Sequence, residues 1–262
     1  MTSTMHATSR RTFSSILSVL TLAGSLGPGV AVAASWEFGT KTVVGSGHSS
    51  SVKRELAAFH EIAISLPGKV ELVQGNTEGI AIEADDNLLP LIETVVKNGE
   101  LTVRSAKGIN LSGNTSIKVT VYARTVDNLS LSSSASLTAA RLVSPKLVSS
   151  IAGSGLIMIK DLQIDALSVS IAGSGRFEAL GTTKAMDVDI AGSGNVSVSK
   201  LSAEDVNVSI AGSGDATLWV RKSLTVSIAG SGSVRYYGEG TLRDSSTVGS
   251  GHVKQIGSTP PI

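Results

Sequence analysis

The sequence predicts an all-β fold, a single-stranded parallel β-helix (β-solenoid) with coils of about 18–20 residues, and three observations predict it. The pentapeptide Ile-Ala-Gly-Ser-Gly begins at Ile151, Ile171, Ile190, Ile210 and Ile228, with spacings of 20, 19, 20 and 18 residues. Apolar residues keep fixed offsets from it, such as Leu147, Leu167, Met186, Val206 and Leu224 four places before. Six places after stand Ile157, Phe177, Val196, Ala216 and Val234. With only 2 Trp, 3 Tyr and 4 Phe, the core has to be aliphatic. Alternation at −4, −2 and 0 and again at +6 and +8 gives two period-2 strands around a Gly-containing bend. Such strands bury a face only when successive coils stack about 4.8 Å apart. A propeller needs blades of about 40–45 residues, about twice this period.

Taken from the N-terminus, residues 1–34 read as a secretory signal. Arg10 and Arg11 form the basic start, Ile16 to Leu26 is an apolar stretch of 11 residues, and Ala31-Val32-Ala33 is a cleavage site. Cleavage after Ala33 or after Ala34 fits equally. Ser9-Arg10-Arg11-Thr12-Phe13 resembles the opening of a twin-arginine signal, so the general and twin-arginine export routes both stand. Either route predicts an exported protein that is periplasmic, outer-surface-associated or secreted. No later segment reaches 18 unbroken apolar residues, so no transmembrane segment is expected in the mature chain.

The next region is less regular. Phe59–Ser65, Lys69–Gln74 and Gly79–Ala84 alternate as strands, Asn87–Ile92 reads as a short helical turn interrupted by Pro90, and Ser116–Ala123 is a further strand. Asn98-Gly99 between Val95-Val96 and Leu101–Val103 is a two-residue hairpin signal. The repeats follow, with degenerate copies at Leu131 and Thr247. The solenoid domain is expected over 35–256, with 257–262 as a tail carrying Pro260-Pro261. Within the bend, both glycines point to positive φ or close approach to the next coil. Ser154, Ser174, Ser193, Ser213 and Ser231 are expected to stack as a structural ladder beside the isoleucine column of Ile151, Ile171, Ile190, Ile210 and Ile228.

Composition excludes several functions. The chain has 22 basic and 21 acidic side chains, and a near-neutral balance argues against a nucleic-acid partner. The absence of cysteine removes disulfides, thiolate metal sites and a cysteine nucleophile.

These features resemble the head GIN domain family, the auto-transporter adhesin domain of bacterial envelope proteins. The resemblance rests on VGSGHSSSVKRELAAFHEIAISLPGKVELVQG, EADDNLLPLIETVVKNGELTV, SIKVTVYARTVDNLSLSSSA and the IAGSG series. It implies a right-handed helix and carries over no catalytic residue; the expected role is adhesive or structural at the cell envelope, without enzymatic activity or cofactor. An auto-transporter also needs a C-terminal membrane barrel. The chain stops at Ile262, soon after the last repeat, so it is not expected to transport itself.

Gly212-Ser213-Gly214-Asp215 resembles a calcium β-roll turn, but the other copies hold Leu156, Arg176, Asn195 and Ser233 in place of the Asp. Neither a phosphate loop nor a G-x-S-x-G elbow is present. A carbohydrate-active β-helix enzyme is the alternative reading, and Asp187, Asp189 and Asp205 are its nearest approach to clustered acids. Trp219 and Tyr237 both lie nine places after their isoleucine, so they should stack on adjacent outer rungs as a ligand contact or as packing under a terminal loop. His48 and His252 share the pentapeptide Val-Gly-Ser-Gly-His; terminal coils explain them more simply than a metal site. The partners expected are envelope or host glycans or proteins.

Overall fold

The structure is a computed structural model and describes residues 40–112 and 117–261. The leader with its cleavage site, and the start of the strand expected at Ser116, lie outside the described residues. Among the latter the chain is built from strands, joined by turns and one 3-10 turn at Leu89–Leu91 with Pro90 in its first turn.

The regular part comprises β12 (Leu142–Gly153), β13 (Leu156–Gly173), β14 (Arg176–Gly192), β15 (Asn195–Gly212) and β16 (Asp215–Gly230). It closes with β17 (Ser233–Tyr237), β18 (Thr241–Gly249) and β19 (His252–Gly257). All neighbours in this stack are parallel, and at the bends they are in register, with Ile151 on Ile171, Ile171 on Ile190, Ile190 on Ile210, and Ile210 on Ile228. The expected two strands per coil merge, because each strand from β13 to β16 continues from one Gly-Ser-Gly bend to the next. Corners are turned at register shifts, as between Ile159 and Leu162. The isoleucine column is at most 2 % exposed and runs through a continuous aliphatic shaft. One member of the −2 column is polar: Ser149 is fully buried, and its hydroxyl has no hydrogen-bond partner.

The two bend glycines do different work. The first takes positive φ, as at Gly192 (φ +121°). The second is required by crowding: a Cβ on Gly194 would lie 2.6 Å from Ile171 Cγ2. Rung-to-rung bonds at the bend come from backbone amides, such as Ser193 N–H to the Gly173 carbonyl at 2.9 Å, while the stacked serine side chains face solvent.

The N-terminal part contains β1 (Lys41–Val44), β2 (Ser49–Glu55), β3 (Glu61–Ser65), β4 (Lys69–Gln74), β5 (Gly79–Asp85) and β6 (Ile92–Lys97). These are followed by β7 (Glu100–Ser105), β8 (Ile109–Ser112), β9 (Lys118–Ala123), β10 (Asn128–Leu131) and β11 (Ser136–Ala139). Here stacking departs from chain order. The β3–β4 coil lies between the later β7–β9 coil and the still later β10–β11 coil, so the column reads Val103, Ile64, Leu131, Ile151. The Asn98-Gly99 turn joins antiparallel β6 and β7 with positive φ at both residues, as the hairpin signal predicts. Strands β5 on β9 and β2 on β5 are also antiparallel, and they finish this end of the stack. The other end finishes differently. In β18 and β19, Ser245, Thr247 and Gln255 take the column positions of Val226, Ile228 and Tyr236, while Leu242 and Val253 continue the columns of Leu224 and Val234, so three of these columns end in polar side chains.

Candidate functional site

A groove of about 850 Å³ runs along the stack at one corner, crossing the rungs from Val143 to Lys222. Its position follows from the register shifts, which bring corresponding residues of successive coils into vertical columns on either side of the corner. One wall carries Val143, Gln163, Thr182 and Ser202, paired rung on rung, and Trp219 and then Tyr237 continue that column. The other wall alternates in charge: Asp165, Lys184, Glu204, Lys222. Between them the floor is formed by Ile164 and Thr183, which are 7 % and 4 % exposed. At the near end the Gln74 carboxamide takes the place of a missing rung. Its Nε2 donates to the Val143 carbonyl at 2.9 Å, and its Oε1 accepts from the Val143 amide at 2.8 Å.

The charged wall is neutralised within itself. Lys184 Nζ lies 2.8 Å from Asp165 Oδ1, and Lys222 Nζ bonds Glu204 Oε2. The hydrogen bond to Asp165 raises the Lys184 pKa, with Asp165 charge and then Glu204 adding to it; Glu204, helped by Asp205, raises that of Lys222. Both lysines are therefore held more firmly cationic, the opposite of what a general base requires. Asp205 accepts a hydrogen bond from the Ser223 hydroxyl at 2.5 Å.

The residues singled out from the sequence distribute as follows. Trp219 and Tyr237 are adjacent on neighbouring rungs and half-buried. The Arg221 guanidinium stands 5.7 Å from the Trp219 ring centroid. Ser258 and Thr259 of the tail join Trp219 and Arg221 in a small pocket, so the pair is partly packed beneath the C-terminal segment. Asp187 and Asp189 are exposed and outside the groove lining; Asp187 accepts from Asn207 Nδ2 at 2.8 Å, whereas Asp205 accepts from Ser223. His48 and His252 lie at opposite ends of the stack. His48 sits in a loop held by Asp85–Asn87, whereas His252 lies 3.4 Å from the Ser233 hydroxyl.

Two features escaped the sequence reading. The alternating wall has a signal that could have found it, since Asp165, Lys184, Glu204 and Lys222 recur at the repeat spacing with alternating sign. The second feature is a surface cluster of His60, Glu61 and Asp127, in which His60 Nδ1 lies 3.1 Å from Asp127 Oδ1. It depends on the out-of-order stacking of β3 beside β10, which no spacing reveals.

Solved structures share this architecture. A "putative adhesin" from Bacteroides fragilis superposes with a TM-score of 0.75 at 24% identity, covering 82% of this chain and 100% of that one. A "putative lipid binding protein" from Parabacteroides distasonis gives 0.67 at 22% identity over 82% and 100%. A "putative adhesin" from Parabacteroides merdae gives 0.64 at 22% identity over 82% and 99%. At these identities the likeness is one of fold. No curated protein matches the sequence. The family model described as "Putative auto-transporter adhesin, head GIN domain" matches residues 58–240, from the start of the out-of-order coils through the last regular one, and the chain belongs to that family.

Proposed function

We propose that the protein is an exported, non-enzymatic recognition protein of the bacterial cell envelope, holding its partner by weak contacts repeated along the rungs. In this reading residues 1–34 are the export leader, 35–256 the solenoid domain and 257–262 the tail. The observation that carries it is the self-neutralised wall of the groove. Its carboxylates are paired with lysines on adjacent rungs, so the groove offers a repeated polar surface and no free acid–base couple. Family membership supports an adhesive role and an envelope location. A lipid ligand, which one neighbour's name raises, finds no support in the shaft, where Phe177 and the aliphatic columns fill the interior.

The test is co-sedimentation of the purified chain with isolated envelope polysaccharide and envelope protein fractions, with product assays on the same mixtures. Saturable binding without product formation is expected, and Trp219→Ala should weaken it without lowering the melting temperature. Product formation abolished by Asp187→Asn would establish polysaccharide cleavage instead. Failure to bind either fraction would remove the recognition reading.

A further inference from the structure

Resting on that recognition reading, we infer that the axial groove binds a linear, uncharged glycan lying parallel to the solenoid axis, with about one sugar residue per rung.

Shape selects a polymer. From the Val143 rung to that of Lys222 the groove crosses four rung steps, about 19 Å at the usual strand separation. This is the reach of a short extended chain. A β-linked pyranose chain advances by a similar distance per residue.

Charge selects a neutral one. Asp165 is answered by Lys184 and Glu204 by Lys222, which leaves Arg221, over the Trp219 ring at the far end, as the lining charge outside those pairs; a polyanion would meet that one cation and would have to break the pairs to be matched along the rest of the groove. The opposite wall carries one neutral hydrogen-bonding side chain on each of three successive rungs: Thr182, Ser202 and Gln163, whose carboxamide also donates to Asp161 and accepts from Arg141 and would exchange those exposed bonds for a ligand's.

Backbone accounting then separates a glycan from a peptide. Extended peptides gain affinity by adding main-chain hydrogen bonds to a free strand edge. The strands bearing this wall are interior to the stack, paired from Leu162 on Gly181 through Thr182 on Ser202. Apart from the corner positions between Gln163 and Ala166, which the ladder skips, the groove offers a ligand side-chain amide and hydroxyl groups, over a floor whose Ile164 suits the C–H face of a sugar ring. Those groups match a partner made of hydroxyls.

The experiment is calorimetric titration of the full chain with hexamers of β-1,4-glucan, β-1,3-glucan, β-1,4-mannan and β-1,4-N-acetylglucosamine, beside a galacturonate hexamer and a hexapeptide. At least one neutral hexamer should bind, with affinity rising from dimer to about the tetramer or pentamer and then levelling. Gln163→Ala and Ser202→Ala should each weaken it about five-fold, as for one lost hydrogen bond. Asp187→Asn, outside the groove lining, should leave it unchanged. Tighter binding of the galacturonate hexamer or the peptide would overturn the ligand class. Neutral-glycan binding indifferent to Gln163→Ala and Ser202→Ala would overturn the groove assignment and leave the recognition reading standing. Binding of no hexamer, with envelope fractions still retained, would likewise overturn this inference alone; loss of both would remove both.

Discussion

The same five residues occur twice in this chain and adopt two structures. Val248-Gly249-Ser250-Gly251-His252 is a solenoid bend, with Gly249 at φ +123° stacked on Gly230, and the place of a Gly251 Cβ 2.6 Å from Ile228 Cγ2. Val44-Gly45-Ser46-Gly47-His48 is a loop clasped by Asp85–Asp86–Asn87. The Ser46 amide donates to Asn87 Oδ1 at 2.9 Å, the Ser46 hydroxyl to Asp86 at 2.5 Å, and the Gly47 amide to Asp85 at 3.0 Å. Here Gly47 takes the positive φ, +81°, with nothing within 4 Å of its missing Cβ. The pentapeptide permits a tight bend in both places, and the neighbouring rung or loop decides which bend forms.

That contrast can be broken at its strongest point first. Ile190→Asp places an unpaired charge in the column that supports the regular bends and should cost more than about 4 kcal/mol, enough to abolish cooperative unfolding by circular dichroism. Retention of the native β-signal would show that the column does not hold the coils.

Glycine replacements measure the contrast directly. Gly214→Ala sets a methyl against Ile190 Cγ2 and the Gly194 carbonyl and should cost about 2–3 kcal/mol in urea denaturation. Gly47→Ala meets no atom and should cost about 1–2 kcal/mol from its positive φ alone. Equal losses would mean that crowding does not distinguish the two copies.

A gain is expected at Ser149. Its partnerless hydroxyl stands between Leu129 and Val169, so Ser149→Val should stabilise the chain by about 1 kcal/mol, read as a higher urea midpoint.

The smallest effect is local and depends on pH. The Ser46 hydroxyl, with the Asn87 amide and His48 charge, lowers the Asp86 pKa. The bonded loop is therefore favoured above the usual aspartate range and is released as pH falls through the depressed value. Amide resonances of Ser46 and Asn87 should titrate in that acidic window, while those of Ser250 and Gly251 follow only global unfolding.

Legibility in the sequence followed the geometry of stacking. Where each coil rests on its predecessor, the period exposes the columns directly, and even the degenerate copies at Leu131 and Thr247 pair in register with Ile151 and Ile228. The Val103–Ile64–Leu131 column obeys the same packing rule, but its members are neither evenly spaced nor in chain order, so no period marks it. Strands β1, β2 and β8 escaped for a related reason: their partners are distant and partly antiparallel, and β2 has little buried surface to set an alternation. The Trp219–Tyr237 pair was legible because both residues keep one offset from the bend. The groove was not, because its walls depend on register shifts at the corners, which only the stacked coils reveal.

The displaced β3–β4 coil also bears on how the chain acquires its structure. It is the earliest-synthesised rung, yet both of its broad contacts are with segments made later. A polypeptide emerging amino end first cannot complete this rung on arrival and must wait until residue 139 before both sides are covered. The first stage is thus a single long-range assembly with a large loop-closure cost, and the later coils can add one by one on the template it leaves. The topology therefore predicts slow formation of this first unit and faster addition of each later coil.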